Sequence, residues 1–453
     1  MKLLFGGFMR RLFLTLVLVA CTVPLRGQTA TPPLQVPYTQ FRLANGLTVI
    51  LHQDKSVPVA TVNVWYHVGS ANEKPGRTGF AHLFEHLMFE GSKNVKEGVF
   101  DTLLESAGGN NNGSTNNDRT NYFEDVPSNA LELALYLESD RMAYLLDTMT
   151  PQRVDGQRDV VKNERRQSYE NQPYGMASLE IDKMLWPPNH PYNWPTIGYM
   201  EDLTAASHSD VVEFFKKYYV PNNASLVIAG DIDIPRTKAL VEKWFNEIPR
   251  GADVEPIAPP AAILTAVKKK TLTDRVALQR LYLTWLTPRM YAPGDAALDL
   301  VSSVLTGGKN SRLYKRLVYE TQMAQDVTAF QQSGAIGSEF QIIATARGGR
   351  TAAELQKVID EELEKLRRDP PDAREVQRAI NQVEASFYRR MERVSNKADS
   401  LNGYYFSGGG PDYFAEDLAR YTSLSPSDVQ AAALTWLPAD RRVELVVEPE
   451  VKK

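Results

Sequence analysis

Residues 78–91 read TGFAHLFEHLMFEG, a stretch with the pattern of one short, mostly apolar helix. Thr78 is of a residue type that caps helix N-termini, and Gly91 is of the type that often follows a helix C-terminus. We therefore expect a helix from Gly79 to Phe89. Its apolar side chains predict that it is largely buried: Phe80, Leu83, Phe84, Leu87 and Met88.

Two histidines and a glutamate on this helix have the spacing of a metal site. His82 and His86 are four residues apart and share one helix face, so both imidazoles can bind one tetrahedral ion. Glu85 can reach a water on that ion without binding the ion itself, which is a general-base position. The alternative is a pair of ordinary histidines on an amphipathic helix. Apolar surroundings favour the metal site, because buried polar groups need partners.

A catalytic zinc ion usually has three protein ligands, so the two imidazoles need a companion. Thr150-Pro151 is a helix start signal, and the helix is expected to continue to about Tyr169. Glu164 is the inward-facing carboxylate on that helix, although a glutamate at such a position, taken alone, is more often a solvated side chain. The residues that share its face are Val154, Gln157, Val161 and Ser168.

The His-x-x-Glu-His helix, with Glu164 following 78 residues after His86, resembles the inverted zinc motif of the pitrilysin/insulinase family. Residues 109–122 are similar to the family signature after the zinc helix, and residues 307–314 resemble its second-half helix region. This resemblance implies a zinc-dependent endopeptidase with one zinc ion per chain, bound by His82, His86 and Glu164, with Glu85 as the base. It implies in particular the zinc-bearing subunit of the bacterial two-subunit, processing-peptidase-like members.

The same resemblance implies a substrate-binding strand. The segment around Asn112 and Gly113 would be a sheet edge beside the metal, where an extended peptide pairs through main-chain hydrogen bonds. Such pairing would suit short or unfolded peptides with loose sequence demands. The composition of Asn110–Gly113 suits a turn equally well, so both interpretations stay open here.

The sequence departs from the family pattern at two places. Gln157 stands where many relatives have a glutamate near the zinc, and we expect it to tune metal affinity and water acidity. In the second half, Val318 and Gln325 align with an Arg and a Tyr that stabilise the oxyanion in relatives that act alone or in their partner subunits. We therefore expect a related subunit that lacks the zinc motif to supply the Arg/Tyr pair. The alternative is a non-catalytic structural or assembly subunit.

At 453 residues the chain is too long for one ordinary core, and it has the marks of a duplication. Similar passages, around residues 209–229 and 427–447, close its two halves. We predict an α+β fold of two pseudo-repeated domains, each a mostly antiparallel sheet covered by helices. The expected parts are an N-terminal zinc-binding domain (36–250), a linker (251–270) and a C-terminal pseudo-repeat without a metal site (271–449).

Residues 1–30 have the pattern of a signal peptide or lipoprotein signal, because basic residues precede an apolar run too short to span a bilayer. We expect an exported protein, in a bacterial periplasm or lipid-anchored to an envelope membrane. Cys21, the single cysteine, is a candidate for the lipid anchor, and ordinary cleavage between Ala20 and Ala30 fits equally. The net charge of −4 and the pI of about 6.0 argue against a nucleic-acid partner.

Overall fold

The computed structural model describes residues 34–450. The expected signal at residues 1–30 and the proposed anchor at Cys21 lie outside the described residues. No helix within the described range has the length and hydropathy needed to cross a membrane.

The first half of the described chain forms a six-stranded sheet in the order β1-β2-β6-β3-β5-β4. Its strands are β1 (Thr39–Arg42), β2 (Thr48–Gln53), β3 (Val59–Tyr66), β4 (Asn110–Thr115), β5 (Thr120–Pro127) and β6 (Ala224–Gly230). Its helices are α1 (Phe80–Leu87), α2 (Val99–Ser106), α3 (Leu131–Tyr144), α4 (Pro151–Arg165), α5 (Met176–Leu185), α6 (Met200–Ala205), α7 (His208–Tyr218) and α8 (Ile234–Phe245). Apolar side chains from both layers form one buried core.

The second half of the described chain forms a five-stranded sheet in the order β7-β11-β8-β10-β9. Its strands are β7 (Lys268–Asp274), β8 (Arg280–Thr287), β9 (Ala324–Gln332), β10 (Ser338–Ala346) and β11 (Val443–Pro449). Its helices are α9 (Asp295–Thr306), α10 (Ala352–Arg368), α11 (Ala373–Arg390), α12 (Val394–Gly403), α13 (Phe414–Thr422) and α14 (Pro426–Trp436). This sheet and its helices have a core of their own.

The two sheets share one topology. The order β2-β6-β3-β5-β4 corresponds to β7-β11-β8-β10-β9, and in each series only the first pair is parallel within the described residues. The closing helices also match, because Ser207 with Asp210 caps α7 and Ser425 with Asp428 caps α14 in the same way. The predicted α+β fold of two repeated units is confirmed. Strand β7 already begins at Lys268, inside the expected linker, and the domain boundaries themselves stay a prediction.

One helix of each half packs on the sheet of the other half. Helix α5 of the first half packs on β8 and β11 of the second sheet, whereas α12 of the second half packs on β3 and β6 of the first sheet. The α12 contact is polar at its centre: Asn402 Nδ2 donates to the carbonyl of Asn63 at 3.0 Å, and Ser225 Oγ donates to Asn402 Oδ1 at 2.8 Å. Each half therefore covers part of the other half's sheet.

Helix α1 occupies Phe80–Leu87, slightly inside the expected range. The expectation that Thr78 caps it is wrong, because the Thr78 hydroxyl donates to Asp202 Oδ2 at 2.7 Å instead. Helix α4 begins as expected, with the Thr150 side chain accepting from the amide of Arg153. It ends at Arg165 and continues as one π-helical turn to Glu170.

A buried carboxyl, Glu339 on β10, and a half-buried one, Asp182 on α5, interact electrostatically where the halves meet. Burial raises the pKa of Glu339 to about 7. Burial, and then the charge of Glu339, also raise the pKa of Asp182. Glu339 Oε2 has no hydrogen-bond partner among the described residues. At a pH between the ordinary pKa of a glutamate and about 7, Glu339 therefore keeps its proton in the folded chain and has released it in the unfolded chain.

We expect this carboxyl pair to make the fold less stable as pH rises. Glu339 ionises near its ordinary pKa when unfolded but only near pH 7 when folded, so the free energy of unfolding falls across that window. Glu339→Gln removes this loss. Thermal unfolding should show the variant gaining melting temperature relative to the parent between about pH 5 and about pH 8. A difference between variant and parent that does not change with pH would contradict the assignment.

Candidate active site

Helices α1 and α4 bring the three expected ligand residues together. The Nε2 atom of His86 lies 3.3 Å from Glu164 Oε2, and the Nε2 atom of His82 lies 3.7 Å from the same oxygen. The two imidazole rings stand 4.8 Å apart at an interplanar angle of 84°. Among the described residues this is the one group of three His, Cys, Asp or Glu side chains whose ligand atoms all lie within 4.8 Å of each other.

The arrangement fits a zinc ion. Ligand atoms placed about 2.1 Å from a tetrahedral zinc are about 3.4 Å apart, and the two carboxylate-to-imidazole distances here are 3.3 and 3.7 Å. Burial lowers the pKa of His82 to about 4, so its imidazole is neutral near pH 7 and has a free lone pair. The side chains of His82, His86 and Glu164 are 12%, 26% and 40% exposed, which leaves one side open to water and substrate.

Glu85 lies beside this cluster and against strand β4. A Cβ atom on Gly113 would stand 3.2 Å from Glu85 Cγ and 3.2 Å from the Tyr122 ring, so the glycine leaves room for the carboxylate. Burial raises the pKa of Glu85, whereas the Thr115 hydroxyl and the neighbouring His86 favour its charged form. Glu85 is therefore a half-buried carboxylate next to the metal cluster but outside it.

The segment with Asn112 and Gly113 is a strand, so the interpretation of residues 110–113 as a turn is wrong. Strand β4 is the outermost strand of its sheet and pairs with β5, with Gly113 opposite Tyr122. An edge strand offers main-chain groups on its free side. The Asn112 side chain accepts a hydrogen bond from the amide of Gly113 at 2.8 Å, so a pairing peptide would have to displace that contact if it used this amide.

Among the described residues, the side chain of Gln157 hydrogen-bonds to Glu90 and to no member of the cluster. Its Nε2 donates to Glu90 Oε1 at 2.5 Å, and Glu90 lies on α1's C-terminal side, four residues after His86. Burial raises the pKa of Glu90, with a further contribution from Glu97. The expected influence of Gln157 on the metal stays a prediction.

The positions expected to lack the oxyanion donors lie in the second half. Val318 belongs to the π-helical segment Tyr314–Glu320, and Gln325 is an exposed residue of strand β9. Strand β9 is the outermost strand of its sheet, as β4 is in the other sheet.

Comparison with known proteins identifies the family. A model described as Insulinase (Peptidase family M16) matches residues 48–181, and one described as Peptidase M16 inactive domain matches residues 205–383. The zinc protease PqqE of Helicobacter pylori is 30% identical over 449 residues, which cover 96% of this chain and 97% of that protein. The chain therefore belongs to the insulinase family of peptidases, family M16.

Solved structures agree on the fold. A crystal structure of a protease from Helicobacter pylori has a TM-score of 0.84 at 28% identity and covers 92% of this chain and all of that one (100%). The first half of the periplasmic protease PqqL from Escherichia coli has a TM-score of 0.75 at 18% identity, over 92% of this chain and 93% of that one, and shares the fold. The insulinase match spans the cluster and Glu85, whereas the inactive-domain match spans Val318 and Gln325.

We expect the purified chain to bind close to one zinc ion, and Glu164→Gln to weaken that binding at least tenfold. The substitution keeps the shape of the side chain but removes the charged ligand oxygen. Competition with a chromophoric zinc chelator measures the affinity. Asp159→Asn is the matched control, because Asp159 is an exposed carboxylate on the same helix. Equal affinity of the Glu164 variant and the parent would contradict the ligand assignment.

Proposed function

We propose that this chain is a zinc-dependent endopeptidase that hydrolyses short or unfolded peptides. The observation that carries the proposal is the convergence of His82, His86 and Glu164 beside Glu85 and an edge strand. His82, His86 and Glu164 would hold the zinc ion. When bound, zinc lowers the pKa of water and polarises a peptide carbonyl.

Glu85 is the proton carrier in this proposal. Its carboxylate accepts a proton from the attacking water and returns it to the amine that leaves after the peptide bond breaks. Burial raises its pKa and so brings its proton affinity closer to that of a base working near neutral pH. Because Glu85 lies outside the metal cluster, its carboxylate is not used as a ligand and can take part in this transfer.

Strand β4 would hold the substrate. An extended peptide added to its free edge gains main-chain hydrogen bonds, with Asn112 and Gly113 as the contact residues. Because main-chain pairing depends little on side chains, we expect a broad preference for extended peptides. Most strands of a folded protein are already paired on both sides, so few of them can add to β4.

We also propose that the active form is a heterodimer. Val318 and Gln325 offer neither a guanidinium nor a phenol, and losing one oxyanion donor costs about a hundredfold or more in rate. A related subunit without the zinc motif would supply the Arg/Tyr pair. The proposed complex lies outside the cytoplasm, either in a periplasm or anchored to an envelope membrane through a lipid on Cys21. The fold relative PqqL is described as periplasmic.

A second candidate function is a non-catalytic assembly subunit. The inactive-domain match over residues 205–383 and the absent Arg/Tyr pair favour it. Against it, all four residues of the zinc motif are present in this chain, whereas a purely structural subunit has no need of them. Metal analysis separates the two, because a structural subunit would purify without near-stoichiometric zinc.

Glu85→Gln is expected to keep zinc and lose cleavage by about 100- to 10,000-fold, because the amide cannot accept the proton of water. A quenched fluorescent peptide library measures the rate, and chelator competition measures the zinc affinity. Glu105→Gln, which changes an exposed carboxylate on α2, should leave both unchanged. A Glu85 variant with parental cleavage would refute the base assignment.

The isolated chain is expected to cleave peptides slowly, and adding the related subunit co-purified from the source organism should raise the rate about a hundredfold or more. The related subunit alone should be inactive. Full activity of the isolated chain, unchanged by the second subunit, would contradict the heterodimer.

A further inference from the structure

The first amides of helix α1 are bound by a side chain from outside the helix. Gly79, at the helix start, has a left-handed backbone (φ 87°) and offers no side-chain cap. Instead Glu73 Oε2 accepts from the amide of Gly79 at 2.9 Å, and Glu73 Oε1 accepts from the amide of Ala81 at 2.8 Å. Glu73 is 7% exposed, so this carboxylate is fixed inside the protein. Both oxygens satisfy amides that have no partner within the helix.

A second carboxylate holds the residue just before the helix. Asp202 Oδ2 accepts from the amide and from the hydroxyl of Thr78, at 3.1 and 2.7 Å. The Thr78 hydroxyl oxygen in turn accepts from the amide of Tyr199 at 2.9 Å. A Cβ atom on Gly79 would stand 2.9 Å from the Cα of Gly198, so the two backbones touch. The start of α1 is therefore held from two sides.

The two histidine ligands come directly after the residues that Glu73 and Asp202 hold in place. His82 is the next residue after Ala81, and α1 is only eight residues long. Each helical residue turns by about 100° and rises about 1.5 Å, so a shift at the first turn moves both imidazoles. These imidazoles must meet an oxygen of Glu164 on a different helix, and zinc tolerates ligand distances only within about 0.2 Å.

We propose that Glu73 is a positioning residue for the metal cluster, because its carboxylate fixes the rotation and height of α1 so that His82 and His86 face Glu164. The inference rests on the proposed function, since it takes this cluster to bind zinc. A carboxylate that only capped the helix would stabilise the fold and leave zinc affinity unchanged. A positioning carboxylate sets zinc affinity as well.

The test compares Glu73→Gln with a matched capping variant. The glutamine amide places a donor against a backbone donor at the start of α1. The control is Asp372→Asn, because Asp372 Oδ1 accepts from the amides of Arg374 and Glu375 at 2.8 Å each and caps α11, in the second half. Zinc affinity is measured by chelator competition on the full chain, and the melting temperature is measured on the zinc-free protein.

We expect Glu73→Gln to weaken zinc binding tenfold or more, and Asp372→Asn to keep it within twofold of the parent even where it lowers the melting temperature. Zinc affinity of the Glu73 variant within twofold of the parent would overturn the inference. If Glu73→Gln does not fold, Glu73→Asp replaces it, because the shorter side chain draws the carboxylate back, and the same two outcomes apply. A parent chain that binds no zinc would overturn the proposed function together with this inference. A zinc-binding parent with an unaffected variant would overturn the inference alone.

Discussion

The packing of helix α1 against helix α4 is the constraint on which the site depends. It brings two imidazoles and a carboxylate from different helices to within 3.3 and 3.7 Å, although the oxygen and the nearer imidazole belong to residues 78 positions apart. The other face of α1 is fixed by aromatic stacking, because the Phe84 ring lies 5.3 Å from Phe214 and 5.0 Å from Tyr219. A polar cluster on one face and an aromatic anchor on the other leave the helix little freedom to rotate.

The two repeated units share one fold, and the candidate metal ligands lie in the first of them. Helix α9 follows Gly294, which has a left-handed backbone (φ 98°), much as α1 follows Gly79 (φ 87°). Helix α11 contacts α9 through a hydrogen bond from Ser303 Oγ to Gln382 Oε1 at 2.7 Å, a polar contact between two helices that parallels that of α1 with α4. The second half keeps this helix pair but has no histidine on α9. One unit thus carries the candidate chemistry, and both carry the fold.

The sequence allowed us to predict those elements that depend on residues close together in the chain. The apolar pattern around His82 and His86 and the Thr150-Pro151 start of α4 predicted the two helices, because patterning and capping act within a few residues. Contacts made by distant residues were missed. The binding of Thr78 by Asp202 depends on residues 124 positions apart, which no local rule registers. The asparagine-rich strand β4 has turn composition, and pairing with β5 overrides that preference.

The packing of α5 and α12 on the opposite halves could not be predicted from the sequence either. Each helix has an ordinary amphipathic pattern, which shows that one face is buried but not which sheet covers it.

The most direct test is a crystal structure of the zinc-loaded chain, with anomalous difference maps recorded on both sides of the zinc absorption edge. We predict one zinc peak, bonded to Nε2 of His82, Nε2 of His86 and a carboxylate oxygen of Glu164, with Glu85 outside the bonding distance. A map without a peak there, or with the ion held by other residues, would contradict it.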